Sequence, residues 1–132
     1  VAQNITKGAE DLVAEANARI TTIPLDEALT LVDSDDHVLI DLRESGELRR
    51  SGKIPGAVAC PRGMLEFRID SDDPDQKAVF NQDKTYVFYC ASAKRSALAA
   101  RTAQEMGLSP VAHIEGGFGA WVKAGGPVEQ LS

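Results

Sequence analysis

The sequence predicts an α/β protein built on a mostly parallel sheet, and two observations predict it. His37 to Leu42 and Tyr86 to Cys90 are short aliphatic and aromatic runs without period-2 polarity, the pattern of strands covered on both faces. Weaker strand-like runs at 57–60 and 111–114 are separated from these by segments of helical pattern, so crossover connections should join neighbouring parallel strands.

The elements follow in order. Ile5, Ala9, Leu12, Ala16 and Ile20 recur at helical spacing and predict an opening amphipathic helix of about four turns. After Thr21 and Thr22, Pro24 stands at a favoured first-turn position, and Leu25, Ala28, Leu29 and Val32 continue a second helix that ends in the polar run 33–36. The run at 37–42 is then a central strand. The Asp- and Pro-rich stretch 70–84 reads as a surface excursion. After the strand ending at Cys90, Ala97 to Met106 is rich in strong helix formers, and Gly107 is placed as the C-cap of a helix over about 94–106. Gly116 and Gly117 suit a tight turn after the last strand, and Trp121 should pack the final helix onto the sheet.

With 132 residues the chain matches one domain that buries roughly 65–70% of its unfolded surface. Its 43% hydrophobic and 26% charged residues are those of ordinary globular proteins. A formal charge of −6 repels phosphate backbones and anionic lipid, which argues against nucleic acid and membrane as partners. Cys60 and Cys90 are too few for a disulfide framework, and no His cluster joins them to suggest a metal site. A reducing, cytoplasmic location is the expectation. No apolar run approaches the ~20 residues of a membrane span. The N-terminus lacks the apolar core of a signal peptide, although a chain beginning at Val1 leaves room for an upstream segment.

Ligands of open parallel sheets bind outside the carboxyl ends of the strands, which is where Cys90 stands. The loop Cys90-Ala91-Ser92-Ala93-Lys94-Arg95-Ser96 has small residues where the backbone must curl, then two cations and a hydroxyl. Its amides could form an anion-binding nest at the positive end of the next helix, and cations and helix N-termini favour a thiolate over a thiol. It supplies the local basic exception that an acidic protein needs to hold an anion. The plainer reading is a buried strand cysteine acting as a small hydrophobe.

This loop, with Asp41-Leu42-Arg43-Glu44, Gly52-Lys53-Ile54-Pro55-Gly56-Ala57 and Glu115-Gly116-Gly117-Phe118-Gly119-Ala120-Trp121, resembles the rhodanese family in order and spacing over roughly Thr21 to Pro127. Residues 1–20 would then be a helical extension and 21–132 the rhodanese-like domain. The resemblance implies a five-stranded parallel sheet flanked by helices on both faces. It also implies a sulfurtransferase in which Cys90 accepts a sulfane sulfur from thiosulfate or a similar donor, then passes it from a persulfide to a thiol, or to cyanide in the laboratory. Ala91 to Ser96 would hold the outer sulfur, and Lys94 and Arg95 would attract the dianionic donor. No organic or metal cofactor is implied.

Four residues separate Cys90 from Arg95, whereas the related phosphatases place five there to cradle a tetrahedral phosphate, which argues against phosphatase or arsenate reductase activity. A silent rhodanese-like binding module is the alternative of a different class, although such modules usually lose the cysteine. Two positions depart from the family pattern: Ala93 stands where glycine is usual, and Lys53 where His is frequent. Asp41 and Arg43 are expected to brace loops as a pair, because displacement at sulfur needs little proton transfer. Arg62 and Glu66 are candidates for the pocket rim or for a solvated helix face. Cys60 is either core or a resolving thiol, the latter only if its Cα comes within about 7 Å of that of Cys90. His37 and His113 have no partner spacing and read as structural.

Overall fold

The structure, a computed structural model, describes residues 2–131. Helix α1 (Ala9–Asn17) precedes β1 (Thr21–Ile23), α2 (Leu25–Ala28) with a following 3-10 turn (Leu29–Leu31), β2 (His37–Asp41), α3 (Ser45–Ser51) and β3 (Val58–Ala59). A 3-10 turn (Arg62–Met64) then leads to α4 (Leu65–Ile69), α5 (Pro74–Val79), β4 (Thr85–Tyr89), α6 (Lys94–Glu105), β5 (Val111–Ile114) and α7 (Gly117–Lys123). The strands form one five-stranded sheet in the order β1-β5-β4-β2-β3, with every pairing parallel. Among the described residues no helix is long and apolar enough to cross a membrane.

Both faces of the sheet are covered, which explains the missing polar alternation. Leu39, Val87, Tyr89 and Ile114 point to the face where Ala28, Ile54, Phe118 and Trp121 pack. Val38, Ile40, Tyr86 and Phe88 point to the other, under Leu65 of α4 and Ala99, Ala100 and Ala103 of α6. The small residues of α6 bring its backbone close to β4, so the helix N-terminus comes down over the end of that strand. Trp121 is fully buried and donates its indole N–H to the Pro127 carbonyl at 2.8 Å.

The structure differs from the sequence expectation in three elements. Thr21 and Thr22 belong to β1, an edge strand with both side chains exposed; backbone pairing to β5, not a hydrophobic run, creates it. Helix α1 starts at Ala9 because Gly8 takes extended backbone and its N–H is accepted by the Asp11 carboxylate at 3.0 Å. Ile5 is 80% exposed and of the predicted stripe within α1 only Ala16 is buried, although α1 packs on α6. The stretch 70–84 contains α5, whose start is set by Pro74 at N1 and by Asp73, which accepts from the amides of Asp75 and Gln76.

Candidate active site

Cys90 is the first residue beyond β4, a strand flanked on both sides by β5 and β2. It is fully buried in the cluster beneath α6, and its Sγ accepts the backbone N–H of Ser96 at 3.3 Å. Among the described residues, the amides of Ala91 to Arg95 donate to no protein acceptor. Curled at the positive end of a 12-residue helix, they form a ring of donors suited to an anion or a polarised sulfur.

Helix α7 holds the loop from its other side. The Phe118 N–H donates to the Cys90 carbonyl at 2.8 Å, and the Gly119 N–H to that of Ala91 at 3.0 Å. This approach requires glycine at 117, where φ is +64° and a Cβ would lie 2.6 Å from the Cys90 carbonyl oxygen. Within the loop Ala93 adopts φ 68°, ψ 10°, so the alanine takes the left-handed conformation rather than avoiding it. That conformation costs an L-residue about 1 kcal/mol or more. Ala93→Gly is therefore expected to raise stability by about 0.5–1 kcal/mol, because relief of strain is partly offset by a more flexible unfolded chain. A higher denaturant midpoint at unchanged m-value would show it.

The charges around the loop are more balanced than its sequence implies. Arg95 donates from both terminal nitrogens to Glu47 of α3, each at 2.9 Å, so its cation is already engaged. Glu47 also accepts the Glu44 N–H at 2.7 Å. The hydrogen bonds from Arg95 outweigh burial and hold the Glu47 carboxyl at about 2, against 4.5 ordinarily. A group with a depressed folded pKa stabilises the fold above its unfolded value and loses that contribution as pH falls toward the folded one. The melting-temperature gap between the wild type and Glu47→Gln should therefore be full above pH 4.5 and close as pH falls toward about 2. Lys94 is exposed and forms no ion pair among the described residues. Arg50, likewise without an ion pair, lines a hollow of ≈ 430 Å³ with Arg43, Glu47, Ala91, Phe118 and Gly119.

Asp41 and Arg43 are both buried and joined through both carboxylate oxygens, Nε to Oδ1 at 3.1 Å and a terminal nitrogen to Oδ2 at 2.8 Å. Arg43 also donates to Ser51 Oγ and to the Gly52 carbonyl, and its guanidinium lies 4.0 Å from the Phe118 ring centroid. The pair thus ties the ends of β2 and α3 to α7, the helix that carries the loop.

Arg62 and Glu66 pair with each other at 2.8 Å, and neither lines the hollow beside Ala91; their charges act on Cys60 instead. Burial pushes the Cys60 thiol above its ordinary range. Ala59 and Tyr89 both pair with Asp41, from opposite sides of β2. Cys60 and Cys90 follow by one residue, so two strand spacings put them roughly 9–10 Å apart. That exceeds disulfide reach, and direct resolution by Cys60 is excluded without backbone movement. Lys53 donates to the Ala57 carbonyl and pairs with Glu129, tethering the C-terminal tail instead of the loop. His37 is bound to Ser34, whereas His113 reaches Ser96 of the loop. Sequence reasoning passed over Glu47 and Arg50; Glu47, three residues after Glu44, carries a helix-start signal, but nothing local announces its partner 48 residues away.

Residues 24–124 match the family model described as the rhodanese-like domain. The chain is 33% identical over 101 residues to a mouse protein named thiosulfate sulfurtransferase/rhodanese-like domain-containing protein 3, covering 73% of this chain and 64% of that one. It is 32% identical over 98 residues to a sulfurtransferase of Allochromatium vinosum, covering 74% and 83%. A solved structure from Rhodopseudomonas palustris, of unknown function and described as a possible tyrosine phosphatase, superposes with a TM-score of 0.91 at 54% identity over 98% of this chain and 99% of that one. With its cysteine loop, its parallel sheet and a family match over most of its length, the chain belongs to the rhodanese-like domain family of sulfurtransferases.

Proposed function

We propose that the protein moves a sulfane sulfur from thiosulfate, or a donor of like charge and shape, to a thiol through a persulfide on Cys90. The observation that carries this reading is Sγ, buried at the carboxyl end of a central strand beneath amides with no partner in the described protein. The Cys90 thiolate attacks the outer sulfur of thiosulfate; a new S–S bond forms, the donor's S–S bond breaks, and sulfite leaves with the electron pair. The acceptor thiolate then attacks the outer sulfur of the persulfide, and the Cys90 thiolate departs. The amides of 91–95 stabilise the sulfur anion between the two displacements. Lys94 and Arg50 attract the dianion, while Ala91 to Ser96 line its path. Asp41 and Arg43 support the loop from beneath, and Arg62 and Glu66 stay outside the reaction.

Thiocyanate formation from thiosulfate and cyanide tests this. The wild type is expected to turn over and Cys90→Ser to fall to background; activity surviving that substitution contradicts the reading. Aryl phosphate serves as the competing substrate. With four residues between Cys90 and Arg95, and Arg95 held by Glu47, no phosphate turnover is expected.

A further inference from the structure

We infer that Asn17 and His113 are positioning residues for Cys90, so that helix α1, outside the matched residues 24–124, is part of the reactive unit. His113 lies on β5, 2% exposed, with Asn17 of α1 on one side and Ser96 of α6 on the other. Its Nδ1 is 2.8 Å from Ser96 Oγ, and its Nε2 is 2.9 Å from Asn17 Oδ1 and 3.1 Å from Thr22 Oγ1. Burial pushes the ring toward its neutral form. A neutral imidazole has one donor and one acceptor nitrogen, and Asn17 Oδ1 can only accept. With Asn17 Oδ1 facing the ring, Nε2 carries the proton and donates to Asn17, and Nδ1 accepts the Ser96 hydroxyl.

This order of donors has a consequence at Cys90. Ser96 is fully buried in the first turn of α6, and its hydroxyl proton is committed to His113. Its backbone N–H, held in place by that anchor, is the donor that faces Sγ at 3.3 Å. Asn17 and His113 thus reach Cys90 through Ser96, whose hydroxyl meets β5 and whose backbone N–H meets Sγ. Removing the Asn17 acceptor leaves the Nε2 proton to Thr22 Oγ1 alone, at 3.1 Å, so the imidazole is held more weakly, and with it the Ser96 hydroxyl and the amide on the thiolate. The idea rests on Cys90 being the reactive thiol, as proposed above, but not on which donor it uses.

The test is the rate of Cys90 alkylation by iodoacetamide across pH, read by mass on the peptide carrying Cys90 so that Cys60 does not contribute. Asn17 is exposed, so its variants should fold, and a melting temperature within a few degrees of wild type checks this. Asn17→Leu is expected to slow alkylation at neutral pH roughly 3- to 10-fold and to move the profile upward, the scale of one hydrogen bond. Asn17→Asp keeps an acceptor for Nε2 and is expected to alkylate faster than Asn17→Leu. In a Ser96→Ala background, Asn17→Leu should have no further effect. The inference is overturned if Asn17→Leu matches wild type, if Asn17→Asp is as slow as Asn17→Leu, or if the effect persists without the Ser96 hydroxyl. A protein that alkylates as expected yet accepts no sulfur contradicts the proposed transfer and leaves this relay standing.

Discussion

Arg43→Ala is expected to destabilise the fold by about 3–5 kcal/mol, because it leaves a buried carboxylate without its counter-charge. Asp41 is fully buried, and with Arg43 truncated both its oxygens lose the guanidinium while Oδ1 keeps the backbone N–H of residue 43. Ser51 Oγ and the Gly52 carbonyl lose a donor in the same step, and Phe118 loses the guanidinium over its ring. For a chain of this size the loss corresponds to a melting temperature lower by roughly 10–20 °C, measurable by thermal unfolding. Arg43→Lys should recover less than half, since one ammonium cannot span both Asp41 oxygens and stack on Phe118. Replacing the pair together, with Asp41→Leu and Arg43→Met, should cost less than Arg43→Ala alone, because no buried charge is stranded.

Gly117→Ala is expected to destabilise by about 2–5 kcal/mol, combining left-handed backbone strain with overpacking. The new Cβ would meet the carbonyl oxygens of Cys90 at 2.6 Å and Ala91 at 2.7 Å. Those atoms are backbone, so relief must come by moving the loop itself. A displacement of the nucleophile on the ångström scale lowers turnover by roughly 100-fold. Gly125→Ala provides the control: φ there is +81°, yet nothing lies within 4 Å of the added Cβ. It should show the strain, about 1 kcal/mol, and retain sulfur transfer. Equal losses of activity in both variants would show that the contact with the loop is unimportant.

The central strands and α6 were legible because burial on two faces writes itself into composition: a strand such as Tyr86 to Tyr89 has no polar position to spare. Family order was legible for the same reason in the loop, since Cys90 to Ser96 forms its turn from consecutive residues. What escaped was made by distant partners. The strand β1 exists because Thr21 to Ile23 pair with Ala112 to Ile114, a relation absent from the local pattern. Glu47 drew no reading because its partner Arg95 lies 48 residues on; folding sets the two together and turns the expected doubly cationic loop into one with Lys94 as its free charge. His113 gave no spacing to read because its partners, Asn17, Thr22 and Ser96, come from three separate elements.

The most direct measurement of the account is the mass of the Cys90 peptide after incubation with thiosulfate. A gain of one sulfur atom at Cys90 is expected, reversed by cyanide or a small thiol and absent in Cys90→Ser. No gain across several sulfane donors while Cys90 still alkylates, or sulfur found on Cys60 instead, would contradict it.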